Sequence, residues 1–104
     1  MDRTINPEIL KSELAGKFIL DVRRANDRDA SSEQLAGANW KDPEKLAEWA
    51  DQLPREQDIV LYCVRGGSVS NAVVDALQAK GLKARFIDGG IEGWKAAGGE
   101  VVTK

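Results

Sequence analysis

The one cysteine of the chain opens the run Cys63-Val64-Arg65-Gly66-Gly67-Ser68. It follows directly on an apolar stretch, Ile59-Val60-Leu61-Tyr62, and a helical pattern begins just after Ser68. A thiol between a strand and a helix faces loop N–H groups and the positive end of the helix dipole. Those surroundings favour the thiolate and hold an anion against it. Gly66 and Gly67 place no side chain between a ligand and the backbone and allow positive φ. A curved run of peptides then aims several N–H groups at one point. Arg65 adds a mobile positive charge at the mouth. Ser68 is placed either to cap the helix or to donate its hydroxyl into the loop. The competing reading is an inert thiol, a small buried hydrophobe at a strand end. The strand, glycine loop and helix around Cys63 favour chemistry.

The rest of the composition narrows that chemistry. The chain has no histidine. It therefore has no Cys–His pair, no Ser–His–Asp triad and no histidine metal site. A single cysteine also excludes a Cys-x-x-Cys redox pair, an internal disulfide and cysteine-rich zinc sites. No metal and no cofactor is expected. Any nucleophile must be activated by dipoles, hydrogen bonds and Arg or Lys. A nucleotide-binding loop needs Gly-x-x-x-x-Gly-Lys-Ser/Thr, and that run is absent. Cysteine phosphatases and arsenate reductases place an Arg at the sixth position after the cysteine, where it forks around the oxyanion. Here that position is Val69, which cannot clamp a phosphoryl group.

The elements that must hold the loop can be read from the pattern. Asn6-Pro7-Glu8 predicts a helix start, with Ile9, Leu10 and Leu14 as its apolar face and Gly16 as its stop. Phe18 to Val22 and Ile59 to Tyr62 are short apolar runs, each suited to a strand buried on both faces. Arg23 to Gln34 is polar and reads as a loop, and Leu35 to Trp40 as holding a brief strand. Asp42-Pro43-Glu44 repeats the cap signal. Leu46, Trp49, Ala50 and Leu53 then mark a helical face that ends before Pro54. After the cysteine loop the predicted stripe is Val69, Ala72, Val73, Ala76 and Leu77, stopped by Gly81. A third strand is expected over Ala84 to Ile87, a turn at Asp88-Gly89-Gly90, a short helix from Ile91 to Ala97, and a strand or a frayed end over Glu100 to Lys104. Helices alternating with apolar strands predict an α/β fold with a mainly parallel sheet covered on both faces. Such sheets bind ligands beyond the carboxyl ends of their strands, where Cys63 falls.

The chain has 104 residues, and a single domain over 1–104 is the expectation. Its 15 basic and 17 acidic side chains are mixed along the sequence and form no basic stripe, so nucleic acid is not an expected partner. No apolar run approaches the length that spans a membrane. Met1 to Pro7 lacks the apolar run of a signal peptide. With one unpaired cysteine, this suits the reducing cytoplasm. Composition leaves the oligomeric state open.

In these motifs the chain resembles the rhodanese family, specifically its single-domain sulfurtransferases. Phe18-Ile19-Leu20-Asp21-Val22-Arg23 is similar to the family's hydrophobic-Asp-Val-Arg strand. Gly37-Ala38-Asn39 is similar to the end of its next motif. Cys63 to Ser68 matches the active-site loop, and Asp88-Gly89-Gly90-Ile91-Glu92-Gly93-Trp94 its C-terminal Gly-Gly-x-x-x-Trp signature. The chain departs from the family at Glu33-Gln34-Leu35-Ala36-Gly37-Ala38, where Gly-His-Ile-Pro-Gly-Ala is usual, which puts the local loop shape in question.

The resemblance implies an α/β/α sandwich and a persulfide on Cys63. The N–H groups of Val64, Arg65, Gly66, Gly67, Ser68 and Val69 would bind the sulfur anion. The implied activity moves a sulfane sulfur from a small donor such as thiosulfate to cyanide or a thiol. The alternative is a sulfur carrier acting on a partner protein. Asp21 and Arg23 are expected to form a structural ion pair. Trp94 is expected in the core under the cysteine loop, and Trp40 in the core, at its rim or at the pocket mouth. Glu44, Lys45 and Glu48 are expected to form a solvated face.

Overall fold

The computed structural model describes residues 2–104, and Met1 lies outside them. The chain begins with strand β1 (Thr4–Ile5) and helix α1 (Pro7–Glu13). Asn6 caps α1 by accepting a hydrogen bond from the Glu8 N–H at 2.7 Å, with Pro7 in the first helical turn. Strand β2 (Phe18–Asp21), helix α2 (Ala25–Asp29) and strands β3 (Glu33–Leu35) and β4 (Asn39–Trp40) follow. The next segment runs from a 3-10 turn (Pro43–Lys45) through α3 (Leu46–Trp49) to a second 3-10 turn (Ala50–Gln52). Then come β5 (Ile59–Tyr62), α4 (Ser68–Ala79), β6 (Ala84–Ile87), α5 (Gly90–Ala96) and β7 (Val101–Thr103).

Five strands form one parallel sheet in the order β1-β6-β5-β2-β4. β5 is central, so its register against β2 (Leu20 beside Leu61, Asp21 beside Tyr62) sets where Cys63 emerges. The pleat divides each central strand between two apolar layers. Ile59 and Leu61 join Leu20, Val22, Trp49, Val73, Val74 and Leu77 on one face. Val60 and Tyr62 join Leu10, Leu35, Ile87, Ile91 and Trp94 on the other. Leu61 is fully buried, and burying a side chain of its size contributes about 1.5–3 kcal/mol. No helix among the described residues is long and apolar enough to cross a membrane.

Several elements differ from expectation. The polar stretch after Arg23 contains α2 and β3 rather than a loop. α2 buries none of its residues and so carries no apolar period. β3 pairs only with β7, antiparallel, in a separate two-stranded sheet. The expected helix over Leu46 to Leu53 is a single α turn between 3-10 turns. So short a segment takes its geometry from packing, here Trp49, whose indole N–H donates to the Asp42 carbonyl at 2.8 Å.

The buried face of α4 keeps Val73 and Leu77 of the predicted stripe and adds Ser70 and Val74, with Val69 packed against the same core. Ala72 is exposed and Val74 is inside, which buries the larger apolar side chain. α5 starts at Gly90, one residue ahead of expectation. The tail, expected as a strand or a frayed end, forms β7.

Candidate functional site

Cys63 leaves the carboxyl end of β5 and is followed at once by the turn that starts α4. Its Sγ accepts a hydrogen bond from the Gly66 N–H at 3.2 Å. That contact needs the backbone to fold back within three residues, which Gly66 does with φ +70. Gly66 also lies against the next loop, where a Cβ would stand 3.0 Å from the Gly89 nitrogen.

The Asp88-Gly89-Gly90 turn carries the cysteine loop from below. The Ile91 N–H donates to the Cys63 carbonyl at 2.9 Å and the Glu92 N–H to the Val64 carbonyl at 3.2 Å. Both acceptors are thereby drawn toward the start of α5. In trans peptides the N–H opposes the carbonyl, so the Val64 and Arg65 amides are turned away from α5. Gly90 makes this packing possible. Its φ is +63, and a Cβ there would stand 2.5 Å from the Cys63 oxygen, 2.6 Å from the Val64 oxygen and 2.7 Å from the Arg65 nitrogen.

Helix α4 presents its N-terminus to the same place. Its first intrahelical bond is Asn71 N–H to the Gly67 carbonyl at 3.1 Å, so the amides ahead of Asn71 are outside the helical ladder. Ser68 is the first residue of the helix rather than its cap. The cap position is Gly67, which has no side chain to bond back, so the Ser68 hydroxyl is not used as a cap.

A cavity of about 370 Å³ opens over the thiol. Cys63, Val64, Arg65, Gly67, Ser68 and Val69 line it, so the expected loop residues meet there, with Gly66 contributing its N–H from behind. Cys63 itself is 7 % exposed. Two further residues, Arg24 and Asp27, complete the wall. Both were missed in the polar stretch after β2. The signal that could have found Arg24 is its place just past the carboxyl end of a parallel strand beside β5.

Arg23 points the other way. Its guanidinium donates to Asp21 through Nε at 3.0 Å and Nη2 at 2.8 Å, and Nη2 also donates to the Glu33 carbonyl at 3.0 Å. The pair is almost wholly buried. Burial alone would lower the guanidinium pKa. Its hydrogen bonds to Asp21 and that carboxylate's charge outweigh burial and hold its pKa above the ordinary arginine value. Tyr62 lies under this guanidinium, 5.5 Å from the ring centroid, and its hydroxyl accepts from the Leu35 N–H at 3.3 Å. Burial first, then the Asp21 charge, pushes the Tyr62 phenol well above its ordinary range. The network ties the end of β2 to β3 and thereby sets where Arg24 begins.

Trp40 and Trp94, like Trp49, are structural. The Trp40 indole N–H donates to the Arg23 carbonyl at 2.9 Å, and Arg28 stacks on the ring at 5.1 Å. Trp40 lines a separate groove with Asp42 and Trp49, not the mouth of the cysteine cavity. Trp94 is buried in the layer with Ile91, its N–H donating to the Glu100 carbonyl at 2.9 Å and Gly99 packed on its ring.

A family model described as "Rhodanese-like domain" matches residues 6–97. The chain belongs to the rhodanese family. Among curated proteins, the thiosulfate sulfurtransferase GlpE of Coxiella burnetii is similar, 31 % identical over 86 residues that cover 81 % of this chain and 79 % of that protein. Among solved structures, a rhodanese-related protein from Thermoplasma volcanium superposes with a TM-score of 0.87 at 27 % identity, covering 98 % of this chain and 99 % of that one. A rhodanese-like domain protein from Staphylococcus aureus shares the fold with a TM-score of 0.80 at 24 % identity, covering 98 % of each chain. The rhodanese fold thus accounts for the five-stranded parallel sheet and its flanking helices.

Proposed function

We propose that this rhodanese-family chain is a sulfurtransferase that carries a sulfane sulfur on Cys63. The observation that supports it most is the Gly66 N–H held 3.2 Å from Sγ at the floor of an open cavity, ahead of the α4 N-terminus. The Cys63 thiolate attacks the outer sulfur of thiosulfate, the S–S bond of the donor breaks, and sulfite leaves with the bonding pair. The new persulfide anion sits among the amides of Val64 to Val69, donors fixed before the reaction and aimed where the charge resides. Arg65, at the mouth, attracts the dianionic donor.

A second nucleophile then takes the outer sulfur and returns Cys63 to the thiolate, so the two half-reactions follow ping-pong kinetics. The chain has one cysteine, so no internal thiol can discharge the persulfide. The acceptor comes from outside: cyanide in an assay, or a small or protein thiol in the cell. The relatives' name supports thiosulfate as donor. The test is thiocyanate formation from thiosulfate and cyanide. Wild-type protein should turn over and Cys63→Ser should not; turnover that survives the substitution overturns the proposal.

A further inference from the structure

A second hollow of about 290 Å³ adjoins the cysteine cavity and shares Arg24, Ser68 and Val69 with it. Beyond those three it is walled by Pro43, Ala72 and Val73, with Glu44 at its polar edge. Its character is therefore apolar between one positive and one negative side chain. Arg24 is exposed and enters no salt bridge among the described residues. Being common to both hollows, its unspent charge faces the junction between the reacting sulfur and the apolar groove.

We infer that this groove selects the sulfur acceptor: it seats the carbon body of an apolar organic thiol, while Arg24 holds the attacking thiolate. The inference rests on the sulfurtransferase reading of Cys63 and adds the class of acceptor to it. The thiolate sulfur forms a bond to the outer sulfur of the persulfide. The persulfide S–S bond breaks and its electron pair returns to Cys63. The products are the Cys63 thiolate and an organic persulfide anion, so charge and electrons balance without an outside oxidant. Glu44 also lines the groove and disfavours an acceptor that carries a second negative charge, a carboxylate, beside it. An apolar acceptor keeps the attraction of Arg24 and avoids that repulsion.

The test uses the full chain loaded with thiosulfate, freed of excess donor and mixed with benzenethiol or with cyanide. The readout is the ratio of the two discharge rates. Cyanide is too small to need the groove, so it reports the integrity of the loaded site in the same sample. Ala72 is exposed on α4, and Ala72→Trp fills the groove from the solvent side. The ratio should fall by about tenfold in Ala72→Trp, the scale on which apolar pockets discriminate. The rate of discharge by benzenethiol itself should fall in Arg24→Gln and recover in part in Arg24→Lys. In wild-type protein 4-mercaptobenzoate should discharge more slowly than benzenethiol, and Glu44→Gln should narrow that gap. An unchanged ratio in Ala72→Trp, or an unchanged benzenethiol rate in Arg24→Gln, overturns the inference while leaving the sulfurtransferase reading intact. Failure of thiosulfate to load Cys63 overturns both.

Discussion

Replacing Gly90 by Ala separates the cysteine loop's support from ordinary glycine strain. Gly90 has φ +63, and an L side chain in that region costs about 1–2 kcal/mol. The added Cβ also lands 2.5 Å from the Cys63 carbonyl oxygen, where ordinary contact begins at 3.4 Å, so the loop must retreat by about 0.9 Å. Retreat disrupts the bonds from the Ile91 and Glu92 N–H groups to the Cys63 and Val64 carbonyls. Each such bond contributes about 0.5–1.5 kcal/mol. The total loss of stability is then about 2–5 kcal/mol.

Gly16 is the matched control. Its φ is +81, yet a Cβ there meets nothing within 4 Å, so Gly16→Ala costs only the strain of about 1–2 kcal/mol. Urea denaturation of both variants isolates the loop term as the difference. Thiosulfate–cyanide turnover of Gly90→Ala under folding conditions should fall by up to about 100-fold, because a displacement near 1 Å misplaces the reacting atom. Gly16→Ala should keep wild-type turnover. If Gly90→Ala matches Gly16→Ala in both stability and turnover, the reasoning that α5 props the cysteine loop is wrong.

Other expectations follow from the buried network beside the site. Arg23→Ala strands the Asp21 carboxylate without its partner and should cost about 3–5 kcal/mol in urea denaturation. Tyr62 is the only tyrosine, and its folded-state pKa is raised above the ordinary 10.0. The unfolded chain therefore ionises first. The Tyr62 contribution is complete below the ordinary value and is lost as pH rises toward the folded one. Between about pH 9 and about pH 11, wild-type stability should fall more steeply than that of Tyr62→Phe; parallel profiles would show that the phenol is not protected by burial. Leu61→Ala should lose about 2–5 kcal/mol by leaving a cavity in the central strand, measured by the same denaturation.

The sheet was legible because its central strands are uninterrupted apolar runs, and Cys63 because it stands where such a run stops. The Asn6 and Asp42 caps were legible as side-chain chemistry local to a few residues, and both bonds are present. What escaped depends on tertiary contacts. α2 is a solvated helix with no apolar period, and β3 exists as a strand only because β7 returns from the end of the chain to pair with it. On α4, Ala72 was placed inside and Ser70 and Val74 were missed because Ala72 fits a helical stripe as well as they do. Only the packing against β5 and β6 decides between them. The turn at Gly89 and Gly90 was readable as a turn, but its role as the seat of the cysteine loop requires the approach of two segments distant in sequence. Arg24 escaped for the same reason: one arginine in a polar stretch looks like its neighbours until the strand end places it at the cavity.

On the proposed mechanism Cys63 takes up one sulfur atom and gives it away. Intact-protein mass spectrometry after thiosulfate, then after cyanide, tests it directly. Cys63 should gain the mass of one sulfur with thiosulfate and lose it completely on adding cyanide. A mass that does not change with thiosulfate, or an adduct that persists through cyanide, would contradict the mechanism.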